Sequence, residues 1–160
     1  MRPQFFAGML AALASLFAGV TAVHAQEYED AEAIVGTALD YLEGWFEGDP
    51  DRMSRAVHED LAKRIAQPLA NGCRELRHMG KETLVDYTTR KGAGDDVDLR
   101  DKIQILDVFG SAAVVRADAG DWVDYLQLAR LDDGWVIVNV LWEFYPHASP
   151  PGADGDCPTE

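Results

Sequence analysis

The chain has 160 residues, with 28 acidic against 14 basic side chains, a net charge of −14, 48% hydrophobic residues and two cysteines. That length and apolar content suit one domain with one core. The charge excludes nucleic acid as a partner, because phosphate binding rests on clustered Lys and Arg and none cluster here.

Met1-Arg2-Pro3-Gln4 supplies a short basic start, Phe5 to Val23 is an apolar run, and Val23-His24-Ala25 fits the small-x-small cleavage pattern. Residues 1–25 are therefore expected to be a secretory signal peptide cut after Ala25, giving a periplasmic or secreted protein with no membrane attachment after cleavage. Residues 26–147 are expected to form the domain, and residues 148–160 a Pro-, Gly- and Asp-rich tail. Export makes a disulfide between Cys73 and Cys157 the natural reading, one that would pin this tail; two free thiols are the alternative.

Ile34, Ala38, Leu42 and Trp45 recur at three and four residues, which predicts a helix from about Asp30 to Glu47. Gly48 stops it. Asp49 is a good N-cap and Pro50 a good first helical residue, so a second helix follows at once and carries Met53, Ala56 and Val57 inward. From Leu61 to Leu69 no period is clear, and a short strand is compatible. Gly80 to Arg90 reads as a third short helix ending near Gly92. The aspartates of "GAGDDVDLRD" lack the calcium-loop spacing and are expected to be solvated charge.

The remainder reads as strands. "KIQILDVFG", "AAVVRADAG", "WVDYLQLARL" and "GWVIVNVLWEFY" are rich in β-branched and aromatic residues and are separated by turn signals, which predicts an antiparallel meander. On the last strand Trp135, Ile137, Asn139 and Leu141 alternate with Val136, Val138, Val140, Trp142 and Phe144, so both faces are apolar. One face takes the helices. The other predicts a homodimer through the sheet, since apolar patches of that size are uncommon on monomers.

"ALDYLEGWFEGDPDRMSRAVHEDLAKR", "LVDYTTRKG", "ILDVFGSAAVV" and "DYLQLARLDDGWVIVNVLWE" together resemble the putative lumazine-binding branch of the nuclear transport factor 2-like superfamily, over about residues 31–145. The resemblance implies an α+β, cystatin-like cone, in which N-terminal helices pack on a curved, mainly antiparallel sheet around a pocket. That fold hosts ligand binders, isomerases, dehydratases and protein-binding modules, so it does not name an activity.

The ketosteroid isomerases of this superfamily offer a residue-level comparison. Tyr41 stands where they keep an oxyanion-donating tyrosine. Asp124 loosely matches their second donor, but their catalytic base falls at Ile65, which cannot move a proton. His58 is the substitute candidate, because its unperturbed pKa lies near neutrality. Its other reading is structural, satisfying carbonyls at the end of the second helix.

Trp45, Tyr87, Trp122 and Trp142 read either as a stacking cage for a flat heterocycle or as core. Asn139, on an apolar face, needs a polar partner, which a ligand, a water or a backbone carbonyl would supply. Cys73, His78 and Met79 lie close in sequence but do not complete a four-ligand set, so no metal site is expected, and no cofactor. The leading expectation is an exported protein holding a small apolar or heteroaromatic ligand. The alternatives are a dehydratase- or isomerase-type enzyme using Tyr41 and His58, and a dimeric interaction module without a ligand.

Overall fold

The computed structural model of the protein describes residues 29–69, 71–94 and 98–149; the expected signal peptide, Asp95, Asp96 and Cys157 lie outside them. The chain falls into two units, residues 1–32 and 33–160. Of the first, the described residues 29–32 are helical.

The second unit opens with helix α1 (33–47). Ile34, Ala38, Tyr41 and Leu42 form its buried face, at the spacing that puts them on one side of a 3.6-residue repeat. Gly48 ends α1 at φ +69, and a Cβ there would come within 1.9 Å of the Gly92 carbonyl oxygen, so glycine alone fits both the conformation and the approach. The Asp49 carboxylate then accepts hydrogen bonds from the Asp51 and Arg52 amides at 2.9 and 3.0 Å and caps helix α2 (Pro50–Ala56). Arg52 binds α2 back to α1, reaching Asp40, Glu43 and Glu47 at 3.0, 2.6 and 2.7 Å.

No residue is spent on a loop between α2 and strand β1 (Val57–Pro68). β1 is longer than its sequence suggests and absorbs Val57 and His58, which the helical reading had assigned to α2 or its end. Strand β2 (Arg74–Met79) carried no sequence signal because five of its six residues are exposed and alternate with nothing. Helix α3 (Lys81–Lys91) ends where Gly92 donates its amide to the Thr89 carbonyl at 3.2 Å.

β3 (Ile103–Phe109), β4 (Ala112–Asp118), β5 (Trp122–Leu131) and β6 (Gly134–Phe144) form the expected antiparallel meander. The six strands lie in the order β2-β1-β6-β5-β4-β3, antiparallel throughout except where β1 runs parallel to β6. The core lies between α1, α2 and one face of this sheet. Leu42 and Met53 meet Val115, Leu126, Ile137 and Val140 there, all 1% exposed or less. Burying each large side chain contributes about 1.5–3 kcal/mol.

One irregularity redirects β6. Gln127 pairs with Asn139, but Leu128 pairs with Ile137, so Val138 is an extra residue in the ladder. Before this bulge Trp135 and Ile137 point inward; after it the inward set is Val140, Trp142 and Phe144. Asn139 and Leu141, read from the sequence as sharing the face of Trp135 and Ile137, are turned to the opposite face, where Leu141 is 55% exposed.

Candidate functional site

α1, α2, α3 and the inner ends of four strands enclose a cavity of about 230 Å³. Tyr41, Leu42 and Trp45 come from α1, Met53 from α2, and Leu84 and Tyr87 from α3. The sheet contributes Lys63, Met79, Trp122, Asp124, Trp142 and Phe144. Three of the four inward positions at the β5 and β6 ends are aromatic, and on the α3 side Tyr87 is 44% exposed.

Aromatic residues make up half of the lining, and their rings brace one another. Trp122 stacks on Phe46 at 5.9 Å between centroids and meets Trp45 and Trp142 edge-on at 6.4 and 6.5 Å. Trp142 meets Phe144 edge-on at 4.8 Å. These offset and T-shaped arrangements suit the ring quadrupole and hold the wall rigid. The Trp142 indole Nε1 is buried without a hydrogen-bond partner, a cost that a ligand acceptor or a water would relieve.

At the end of this apolar chamber sits a small polar cluster. The Tyr41 hydroxyl donates to Asp124 Oδ1 at 3.1 Å, and the Trp122 indole N–H donates to Asp124 Oδ2 at 2.8 Å. Lys63 Nζ donates to both Asp124 Oδ1 and the Tyr41 oxygen at 2.5 Å. It also lies 5.3 Å from the Tyr41 ring centroid and 5.0 Å from that of Trp142, within cation–π range. Asp124 is 0% and Lys63 7% exposed. Burial pulls the Lys63 ammonium below the usual lysine range despite the attraction of Asp124. Burial, reinforced by the Asp124 charge and hydrogen bond, pushes the Tyr41 phenol well above its ordinary value.

The structure brings together Tyr41, Trp45, Tyr87, Trp122, Asp124 and Trp142 from the sequence candidates. It leaves out two. His58 lies in β1 rather than at a helix end, in the irregular stretch where the pairing with β6 slips between Val57 and Ala62; its Nδ1 accepts the Asp60 amide at 3.1 Å, and it does not line the cavity. Asn139 is carried away from the cavity by the Val138 bulge.

Sequence reasoning missed Lys63. A signal was present: Leu61, Lys63 and Ile65 alternate, and all three are buried, so lysine occupies an inward position of an apolar strand face. Ile65, the position of the isomerase base, lines a neighbouring outer cleft of about 550 Å³ together with Arg77, His78 and Thr83. Lys63, Met79, Tyr87 and Trp142 line both spaces, so the cleft adjoins the cavity at Lys63.

Among the described residues no group of three or more acidic, histidine or cysteine side chains is placed to hold a metal ion, and no helix is long and apolar enough to cross a membrane. Cys73 is not a free thiol, while Cys157, with which it was expected to pair, lies outside the described residues.

Several solved structures resemble this chain, three of them as follows. A nuclear transport factor 2-like protein of unknown function from Shewanella baltica is 22% identical, with a TM-score of 0.58, over 76% of this chain and 96% of its own. A similar protein of unknown function from Silicibacter pomeroyi is 16% identical, with a TM-score of 0.56, over 76% and 98%. A third, with a cystatin-like fold, from Novosphingobium aromaticivorans, is 14% identical, with a TM-score of 0.54, over 79% and 88%. At these identities the likeness is one of fold. No curated protein matches. The family described as putative lumazine-binding matches residues 29–143, which takes in every lining residue of the cavity except Phe144, the last residue of β6. The chain belongs to that family and has the fold of these nuclear transport factor 2-like proteins.

Proposed function

We propose that this protein binds a small, flat, largely apolar molecule in the cavity and orients it through an acceptor atom set against Lys63. The observation that carries this reading is the Tyr41–Lys63–Asp124 cluster in an otherwise apolar chamber. An ammonium has three donors, and Asp124 and Tyr41 take two, so one remains for a ligand. A volume of about 230 Å³ holds one or two fused rings rather than a drug-sized molecule. Family membership supports a ligand of this kind.

The test is a tryptophan-fluorescence titration with lumazine and, separately, with 2-naphthol. Three of the four tryptophans line the cavity, so saturable quenching by either compound is expected, weakened at least severalfold in Lys63→Met for lumazine, which carries carbonyl acceptors. Linear, unsaturable quenching by both compounds would reject the cavity as a binding site.

The enzymatic alternative with His58 as base loses its support, because His58 stands outside the cavity wall. We further propose a homodimer through the outer sheet face. Tyr125 and Leu141 are cross-strand partners there, 44% and 55% exposed, and Leu76 on β2 is 67% exposed. Secretion with a Cys73–Cys157 bridge completes the proposal, resting on the composition of residues 1–25 and the presence of two cysteines.

A further inference from the structure

We propose that Lys63 captures a neutral aromatic aldehyde or ketone as an imine, making the cavity a covalent, reversible carbonyl site. This rests on the binding reading above and names its ligand class. Three features of the geometry carry it. Lys63 lines both the cavity and the adjoining outer cleft. A proton acceptor, Asp124 Oδ1, and a proton shuttle, the Tyr41 hydroxyl, both stand 2.5 Å from it. The surrounding wall is largely apolar, which disfavours the charged amine.

The step balances without a co-reactant. The Lys63 ammonium passes a proton to Asp124, and the freed amine lone pair forms a C–N bond to the carbonyl carbon. The carbonyl oxygen takes a proton from the Tyr41 hydroxyl, which is replenished from Asp124, giving a carbinolamine. The C–O bond then breaks as a second proton, taken from the new C–N nitrogen through the same pair, lets the hydroxyl leave as water. The nitrogen lone pair forms the C=N bond as the water departs, so the product is the iminium directly, with one hydrogen left on nitrogen; one positive charge enters and one remains. The Asp124 carboxylate disfavours an anionic substrate such as a 2-oxo acid, and the aromatic walls favour an aryl group, which together set the ligand class.

The chain contains four lysines, and Lys81, Lys91 and Lys102 provide an internal background, being engaged in contacts outside the cavity. Wild-type protein is incubated with 2-naphthaldehyde and sodium cyanoborohydride at neutral pH and mapped by peptide mass spectrometry. The expected result is labelling of Lys63 about tenfold above each other lysine, with a severalfold slower rate in Tyr41→Phe. Because the comparison is made among lysines of one wild-type chain, it does not depend on a Lys63 variant folding. The matched alcohol, 2-naphthalenemethanol, reports binding without chemistry. Lys63 labelling no greater than that of the other lysines, with saturable tryptophan quenching by the alcohol, overturns the imine and leaves the binding site standing. Background labelling without quenching overturns both.

Discussion

Lys63 and Asp124 lie 61 residues apart in sequence, yet Nζ and Oδ1 meet at 2.5 Å with both side chains almost fully buried. Buried ion pairs contribute little net stability when formed, because desolvation offsets attraction, but removing one partner strands the other charge. Asp124→Asn is therefore expected to cost about 3–5 kcal/mol in urea unfolding, whereas Lys63→Met with Asp124→Leu recovers most of that loss. A double variant as unstable as the single one would show that the pair is not an isolated electrostatic unit.

Arg52 joins α2 to three carboxylates on α1, and two of the contacts are charge-assisted hydrogen bonds of 2.6 and 2.7 Å. Its side chain keeps 22% exposure, so solvent screens part of the interaction. Replacing it with alanine also leaves Asp40, Glu43 and Glu47 facing one another. We expect Arg52→Ala to lower unfolding stability by about 2 kcal/mol, read from the shift of the denaturation midpoint at constant m-value. A shift within error of zero would mean that the α1–α2 junction is held by apolar packing alone.

Tyr41 provides the pH dependence. Its phenol is raised above the ordinary value of 10.0, so above pH 10 the folded state retains a proton that the unfolded state releases. The associated stability is fully present below pH 10 and is lost as pH rises through the folded value. Subtracting the 295 nm titration of Tyr41→Phe from that of wild type should leave a single step above pH 10, and the wild-type stability advantage over the variant should shrink over the same range. A difference step at or below pH 10 contradicts the buried, Asp124-bonded phenol.

The outer sheet face predicts oligomeric state. Sedimentation of the mature protein at micromolar concentration should give twice the chain mass, and Leu141→Lys with Tyr125→Glu should give a monomer that still quenches with ligand. A wild-type monomer removes the dimer and leaves the cavity untouched.

The cysteines predict a titration. Denatured, unreduced protein should show no reactive thiol and reduced protein two; closing so long a loop contributes about 4 kcal/mol on the chain-entropy model. Two thiols before reduction would reject the bridge.

Much of this architecture was legible before any coordinates. Periodicity located α1, the Gly48-Asp49-Pro50 junction, α3 and the four-strand meander, because each has an amphipathic face or a turn residue whose requirement is local. Tyr41, Trp45, Tyr87, Trp122, Asp124 and Trp142 were named as candidates, and all of them line the cavity. β2 left no trace, since a mostly exposed edge strand needs no apolar alternation.

Taken by itself, the sequence determined which residues are apolar, where helices start and stop, and the order of the elements, since those depend on side-chain spacing and backbone preference within a few residues. Only the tertiary structure decided which face each residue joins. One extra residue, Val138, reversed the direction of Asn139 and moved Trp142 into the wall, and the slipped pairing after Val57 left His58 outside. Lys63 became the centre of the site for the same reason. Its significance comes from Asp124 and Tyr41, which reach it from β5 and α1 and which a strand's own periodicity cannot reveal.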